Sequence, residues 1–253
     1  MDLQTFHSFL LAMSLTALVV FVALYFVRAG YGVFQSPRWG VAVDNRLAWV
    51  LMEAPVLGVM AVMWVLSPRR SELVPTIFFL LFAVHYVQRS FVFPLLMKGR
   101  SRMPVAILLM GAVFNLLNGF MQAEWLFYLS PAGSYGTEWL ASAPFVVGTA
   151  MFLFGMGLNW HSDAVIRQLR RPGDRRHYLP SRGMYRYVTS ANYLGELIEW
   201  AGWAVLTWSL SGLVFFWWTF ANLVPRAHAL WQRYRTEFGS AVGSRKRIFP
   251  FVY

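Results

Sequence analysis

Phe145-Val-Val-Gly-Thr-Ala-Met-Phe-Leu-Phe-Gly-Met-Gly-Leu158 carries no charge, and it runs straight into Asn159-Trp-His-Ser-Asp-Ala-Val-Ile-Arg-Gln-Leu-Arg-Arg-Pro-Gly173. The first half has the length and composition of a membrane helix, so the second half gathers polar and basic side chains where that helix meets water. His161 and Asp163 lie close together in sequence, and Arg167, Arg170 and Arg171 follow at helical spacing. Guanidiniums are planar, always charged and able to bind two oxygens at once, so three of them on adjacent faces suit a phosphate. The same arginines would also suit anchoring on anionic lipid headgroups.

Composition points the same way over the whole chain. Of its 253 residues 58% are hydrophobic, 18% aromatic and only 13% charged, about half the charged share of a soluble domain. The net charge of +11 then reads as membrane topology and not as a nucleic-acid surface. Without cysteine there is no disulfide, thiolate nucleophile or cysteine metal site. The first apolar run is too long, and lacks a basic leader, for a cleaved signal peptide, so it reads as a membrane helix.

Seven apolar segments of spanning length are predicted, near Phe9–Val27, Trp49–Leu66, Val74–Leu96, Pro104–Leu129, Ala143–Asn159, Tyr193–Leu210 and Leu213–Leu230. The last two are separated only by Ser209-Leu-Ser-Gly212. No repeat or low-complexity linker interrupts them, so one all-α integral membrane domain, residues 1–253, is expected. With the N-terminus outside, the loops on the inner face hold 19 of the 22 basic residues, the outer loops hold Arg69 and Arg70, and Arg89 lies within a span. Inner loops of membrane proteins are enriched in Lys and Arg, so this split predicts a cytoplasmic C-terminus.

Ionisable groups inside a span cost at least about 2.5–3.5 kcal/mol each, which makes each a functional candidate. Glu53 lies in the second span; His85, Tyr86 and Arg89 lie in the third, with Arg89 one turn from the other two; Glu196 and Glu199 open the sixth. A Glu53–Arg89 pair tying two helices together is the structural alternative. A neutral carboxyl beside a phenol can also donate hydrogen bonds to a carbonyl oxygen as that oxygen gains charge. Asn192, Glu196 and Trp200 share a face at four-residue spacing. That stripe suits either a flat amide-bearing ring or an interhelical hydrogen-bond network. Arg226, Arg233 and Tyr234, at the end of the last span, read alone as basic-face anchors. The chain has no Gly-x-Gly-x-x-Gly, P-loop, His-Glu-x-x-His or Gly-x-Ser-x-Gly, and its five scattered histidines form no metal set. The 12 Met and 12 Trp residues read as packing and interfacial-belt residues.

Together these motifs resemble the steroid 5-alpha-reductase family. The resemblance is carried in order by Gly30-Tyr-Gly32, Met52-Glu-Ala-Pro55, Val84-His-Tyr-Val-Gln-Arg-Ser-Phe91, Leu96-Met-Lys-Gly-Arg100 and Asn118-Gly119. It continues through Gly155-Met-Gly-Leu-Asn-Trp-His-Ser-Asp163, Arg167-Gln-Leu-Arg-Arg-Pro-Gly173, Ser190-Ala-Asn-Tyr-Leu-Gly-Glu-Leu-Ile-Glu-Trp200 and Ser244-Arg-Lys-Arg-Ile-Phe-Pro-Phe251. The most specific are Gly-Met-Gly-x-Asn-x-His-Ser-Asp and Ala-Asn-x-Leu-Gly-Glu.

The resemblance implies a multi-pass membrane enzyme, in a bacterial inner membrane or an endoplasmic reticulum, using NADPH to reduce the 4,5 double bond of a 3-oxo-4-ene steroid. Glu53 and Tyr86 match the family's catalytic pair. Asn159, Asp163, Arg167, Arg170, Asn192, Glu196 and Arg226 match cofactor-contacting positions, with Arg89, Arg100 and Tyr234 less specific ones, and Tyr31 and Trp200 match the substrate pocket. The implied partners are a lipophilic steroid or enone and membrane lipids, with no nucleic acid. Three places depart from the family: Met52 stands where it carries glutamine, the loop Asp174-Arg-Arg-His-Tyr-Leu-Pro180 is offset, and Ala229-Leu230 stand where relatives can carry histidines. Related scaffolds reduce unsaturated fatty acyl thioesters or transfer methyl groups from S-adenosylmethionine, but the Arg167–Arg171 cluster suits a nucleotide phosphate better than a sulfonium donor. A transporter or lipid-binding protein using Glu53 and Arg89 as a proton relay is the reading from another class.

Overall fold

The structure is a computed structural model that describes residues 1–253 apart from 29, 31, 35, 99, 100 and 171–175, and apart from the side chains at 33 and 37. Tyr31, Arg100 and Arg171 therefore lie outside the described residues.

The chain is helical almost throughout. Helix α1 (Leu3–Phe26) is capped by Asp2, whose carboxylate accepts from the Thr5 amide at 2.9 Å. Its buried residues, Phe6, Leu10, Met13 and Ala17, recur every three or four positions and form one stripe; most other side chains face outward. Helix α2 (Asn45–Leu66) is capped by Asp44 and contains Pro55. Helix α3 (Leu73–Val87) passes through a wider π-helical turn (Gln88–Val92) into a short α4 (Phe93–Leu96). Such turns disturb the 3.6-residue ladder and recur at functional sites; this one carries Arg89. Helices α5 (Val105–Glu124), α6 (Ala143–Leu169), α7 (Ala191–Thr207) and α8 (Leu210–Phe238) complete the bundle.

Five helical stretches among the described residues are long and apolar enough to cross a membrane: Leu3–Phe26, Asn45–Leu66, Leu73–Leu96, Val105–Leu129 and Ala143–Leu169. The two remaining predicted spans coincide with α7, which is 17 residues long, and with α8, which carries Arg226, Arg233, Arg235 and Glu237 in its second half. The short Ser209-Leu-Ser-Gly212 link is a true break. Trp208 turns left-handed with φ 46°, and Ser209 caps α8 by accepting from the Gly212 amide at 3.0 Å. The buried hydroxyls of Thr207, Ser209 and Ser211 bond to one another at 2.9 and 3.1 Å, which satisfies the polar groups of the turn.

Four loops meet at one end of the bundle. Strands β1 (Ala42–Asp44) and β2 (Arg102–Pro104) pair antiparallel, joining the loop after α1 to the one after α4. Thr189 donates its amide to the Lys246 carbonyl at 2.9 Å, joining the loop before α7 to the segment after α8. Arg245 reaches the Pro180 carbonyl at 3.0 Å. At the other end Arg69 bonds Ser130, and Tyr135 donates to the Thr207 carbonyl at 2.6 Å.

The closest helix pair is α6 on α7, and glycine makes it possible. A Cβ added at Gly148 would lie 2.3 Å from the Leu206 nitrogen, one at Gly155 2.2 Å from the Glu199 nitrogen, one at Gly195 2.5 Å from the Asn159 nitrogen and one at Gly202 2.4 Å from the Phe152 nitrogen. Each helix carries its pair of glycines seven residues apart, which keeps them on the seam. In lipid, where apolar surface gains little by helix association, such close backbone contact is a main source of pairing energy.

Candidate active site

Helix α5 braces two groups from α2 and α3. Asn115 donates through Nδ2 to the Met52 carbonyl at 2.8 Å and to Glu53 Oε2 at 3.1 Å, and Asn118 donates through Nδ2 to the Tyr86 hydroxyl at 3.4 Å. Residues three apart on a helix are neighbours on one face, about 5–6 Å between Cβ atoms. The carboxyl of Glu53 and the phenol of Tyr86 are thereby held side by side. Met52, in place of a polar residue, is buried and lies over Gly111, where an added Cβ would sit 2.5 Å from its sulfur.

Aromatic rings close the layer behind the pair. The Trp200 ring, 1% exposed, lies 5.8 Å from the Tyr86 ring, 4.5 Å from His85, 5.8 Å from Phe82 and 4.3 Å from Phe215. His85 Nδ1 and Glu199 Oε1 are 2.6 Å apart and both side chains are buried. Both ionisable groups were visible in the sequence, but their partnership spans 114 positions.

A second polar layer adjoins the first through Arg89. Its guanidinium stacks on Trp49 and Phe93 at 4.5 and 4.8 Å, and it approaches Asp163 at 3.8 Å and Glu196 at 3.7 Å. Asn192 donates to Asp163 Oδ1 at 3.2 Å, Asn159 donates to the Asn192 carbonyl at 2.9 Å, and Tyr185 donates to Asn192 Oδ1 at 3.2 Å. Four predicted site residues, Asn159, Asp163, Asn192 and Glu196, thus converge from α6 and α7 because the glycine seam sets them opposite each other. His161, two residues from Asp163, points elsewhere: it is exposed and packs against Gly183, while Asp163 is buried. Sequence reasoning overlooked Tyr185. Burial first, and then the Asp163 charge, push its phenol well above the usual range, so it stays a proton donor.

Several buried polar atoms in this layer lack a hydrogen-bond partner among the described residues: Ser162 Oγ, Ser190 Oγ and Asp163 Oδ2. An unsatisfied buried polar atom costs about 1–3 kcal/mol, so three of them together fit a polar ligand seated there.

The third layer is cationic. Arg28, Arg226 and Arg233 bring their guanidiniums to 5.9, 5.9 and 5.7 Å from the ring of Phe34. Arg226 donates through Nε to the Tyr193 hydroxyl at 2.7 Å. Arg167 and Arg170 are half-buried at the end of α6. Tyr234 is buried nearby, and its phenol is pushed up to about 12, chiefly by burial and by Tyr193, with the Arg170 charge opposing. From carboxyl and phenol, through amides and carboxylates, to arginines, the polar side chains therefore change from a few buried hydrogen-bonding groups to clustered cations along the bundle.

Comparison with known proteins gives this arrangement its family. A profile described as 3-oxo-5-alpha-steroid 4-dehydrogenase matches residues 101–253. The chain is 36% identical over 263 residues to steroid 5-alpha-reductase DET2 of Gossypium hirsutum, covering 100% of this chain and 99% of that one. It is 37% identical over 243 residues to 3-oxo-5-alpha-steroid 4-dehydrogenase 1 of Mus musculus, covering 93% and 92%. It is 39% identical over 236 residues to 3-oxo-5-alpha-steroid 4-dehydrogenase 2 of Sus scrofa, covering 92% and 91%. Likeness of this extent, running through both the profile and full-length relatives, makes the chain a member of the 3-oxo-5-alpha-steroid 4-dehydrogenase family.

Proposed function

We propose that this protein reduces the 4,5 double bond of 3-oxo-4-ene steroids with NADPH. The observation that carries the reading is the side-by-side bracing of Glu53 and Tyr86 by Asn115 and Asn118, at the apolar end of a site whose other end is arginine-rich. The residues of the second and third layers fit the cofactor. Arg170 and Arg226 would hold phosphates, Arg167 would add charge at the same end, and Asn159, Asp163, Asn192 and Glu196 would hold the ribose and carboxamide groups. Arg89 orients the two carboxylates of that layer, and Tyr234 lies at its phosphate end. Trp200 backs the steroid beside the catalytic pair, and Tyr31 and Arg100 are assigned to the substrate and cofactor sides from the family resemblance.

When bound, the cofactor supplies the hydride that reaches the β carbon of the enone. Tyr86 donates a hydrogen bond to the substrate carbonyl oxygen, Glu53 stands at the same oxygen as a second hydrogen-bond donor, and a proton from solvent or a nearby group, added at the α carbon of the resulting enolate, completes the reduction. Both hydrogen bonds strengthen as that oxygen gains charge, which is the condition for lowering the barrier and not only tightening binding. The surrounding rings of Phe82, Trp200 and Phe215 exclude water, so the two hydrogen bonds act in a medium of low dielectric.

The proposed topology has seven spans, the N-terminus outside and the C-terminus in the cytoplasm. The gathering of the four basic loops at one end of the bundle supports it, since helices that alternate direction return every second loop to the same face. A lipophilic steroid then enters from the bilayer and the nucleotide from the cytoplasm.

The test is NADPH consumption by the purified protein with a 3-oxo-4-ene steroid. Glu53→Gln and Tyr86→Phe are each expected to lower kcat by about 10²–10³, the usual cost of one oxyanion donor, with cofactor affinity nearly unchanged. Wild-type turnover in both variants would remove the catalytic pair.

A further inference from the structure

We infer that Trp203, Gln122 and Asn118 set the direction of the Tyr86 hydroxyl proton, making Asn118 a positioning residue for the reduction. The inference rests on the role assigned to Tyr86 above and adds what turns that phenol into a donor toward the substrate.

The argument follows hydrogen-bond polarity along a buried chain. An indole N–H only donates and a backbone carbonyl only accepts. Trp203 Nε1 donates to Gln122 Oε1 at 2.9 Å, and Gln122 Nε2 donates to the Ser211 carbonyl at 2.9 Å. Either contact alone fixes which way the Gln122 amide faces, and the two agree. Its nitrogen also reaches Asn118 Oδ1 at 3.4 Å. That contact uses the oxygen of the Asn118 amide, so the nitrogen faces Tyr86, 3.4 Å from its hydroxyl. A phenol approached by an N–H accepts there, and its single proton must point elsewhere. Asn118, Gln122 and Trp203 are fully buried and Tyr86 is 3% exposed, so water does not scramble the order. An amide can normally turn over; this one is held by one-way groups at the far end of the chain.

The consequence is that the most conservative replacement should be the most damaging. Asn118→Asp keeps size and hydrogen bonding, but its carboxylate, when ionised, accepts from both neighbours and captures the Tyr86 proton. Asn118→Leu loses the hydrogen bond and offers the phenol no acceptor, so the proton stays free for the substrate. A residue that served only to hold α5 against α3 and α8 would give the reverse order.

The experiment measures kcat and KM for NADPH-dependent enone reduction at neutral and alkaline pH in both variants, with cofactor binding followed separately. For Asn118→Asp, kcat is expected to fall more than about tenfold at alkaline pH with cofactor affinity unchanged; for Asn118→Leu it is expected to fall about threefold. These are fractions of the 10²–10³ that a whole oxyanion donor is worth. Should the carboxyl variant fail to fold, Gln122→Leu tests the same chain, because it removes both one-way contacts at once. Without the Gln122 amide the Asn118 amide can turn, kcat is expected to drop about tenfold on that scale, and adding Asn118→Leu to it should restore most of the loss. Equal or higher kcat for Asn118→Asp than for Asn118→Leu at both pH values, or additive losses in the double variant, would overturn the inference while leaving the reductase reading intact. Absence of enone reduction by the native protein would overturn that reading, and this one with it.

Discussion

Gly155→Ala tests whether the α6–α7 seam sets the geometry of the site. The added Cβ would stand 2.2 Å from the Glu199 nitrogen, 2.6 Å from the Gly195 oxygen and 2.7 Å from the Glu199 Cα. All three are backbone atoms, so no side chain can swing aside. Ordinary contact is about 3.5–4.0 Å, so α7 must withdraw by roughly 1 Å. Asn159 follows Gly155 by one turn, and its hydrogen bond to the Asn192 carbonyl is 2.9 Å, with Asn192 to Asp163 at 3.2 Å. A withdrawal of that size breaks both. Overpacking costs about 1–3 kcal/mol, partly offset by about 1 kcal/mol of helix propensity gained on replacing glycine with alanine, so the protein should still fold with a modestly lower Tm. Activity should suffer more than stability, because a misplacement of about 1 Å at a reacting pair can cost 10²-fold. The assay is kcat/KM for NADPH-dependent enone reduction beside thermal unfolding of the same detergent-solubilised sample. Gly157→Ala is the control, because among the described residues nothing beyond its own stretch of helix lies within 4 Å of its added Cβ. Native kcat/KM in Gly155→Ala would refute the claim that glycine-mediated contact aligns Asn159, Asp163 and Asn192.

Two further predictions concern the basic end. Arg170→Ala is expected to weaken NADPH binding about 10–100-fold while leaving NADH nearly unchanged, since a charge-assisted bond to the extra phosphate is worth about 1.5–3 kcal/mol; equal weakening of both nucleotides, measured by fluorescence titration, would leave Arg170 only a general electrostatic role. Ser181→Cys, in a chain with no other cysteine, should resist an impermeant thiol reagent on intact cells and react after permeabilisation; labelling from outside would put the arginine loop on the wrong face.

The predictable parts of the fold are those governed by local composition. The apolar runs gave five helices long and apolar enough to span, and even the marginal break at Ser209-Leu-Ser-Gly212 is real, because serine hydroxyls cap the new helix and satisfy the turn. Individual site candidates were legible where a charge sits in an apolar run, as with Glu53, Arg89 and Glu196. Their pairings were not. Arg89 reaches carboxylates on α6 and α7, and His85 meets Glu199, through separations of tens of residues to more than a hundred that leave no periodic trace. The bracing amides Asn115 and Gln122 look like ordinary polar residues of a membrane helix until their partners are known. Tyr185 is one aromatic residue in a basic loop, and only its burial and its bond to Asn192 distinguish it. Gly155 and Gly157 look alike in the sequence, yet only the first touches a facing backbone.

The two halves of the site answer to different physical demands, and the bundle separates them accordingly. On the proposed reading, binding a dinucleotide needs fixed charge near water, which the arginines at the loop end would provide. Holding charge on an enone oxygen needs few, well-aimed hydrogen bonds in a dry interior, where each is stronger but any unpaired polar group is expensive. Helix α5 would meet that second demand by placing Asn115, Asn118 and Gln122 on one face, where they bond Glu53, the Tyr86 hydroxyl and the Ser211 carbonyl. Buried atoms without a hydrogen-bond partner among the described residues occur in both halves: Glu199 Oε2 beside His85 in one, and Ser162 Oγ, Ser190 Oγ and Asp163 Oδ2 in the other. On the proposed reading, a nucleotide seated against Ser162, Ser190 and Asp163 would complete the hydrogen bonding of α6 and α7 beside the place where the steroid would pack.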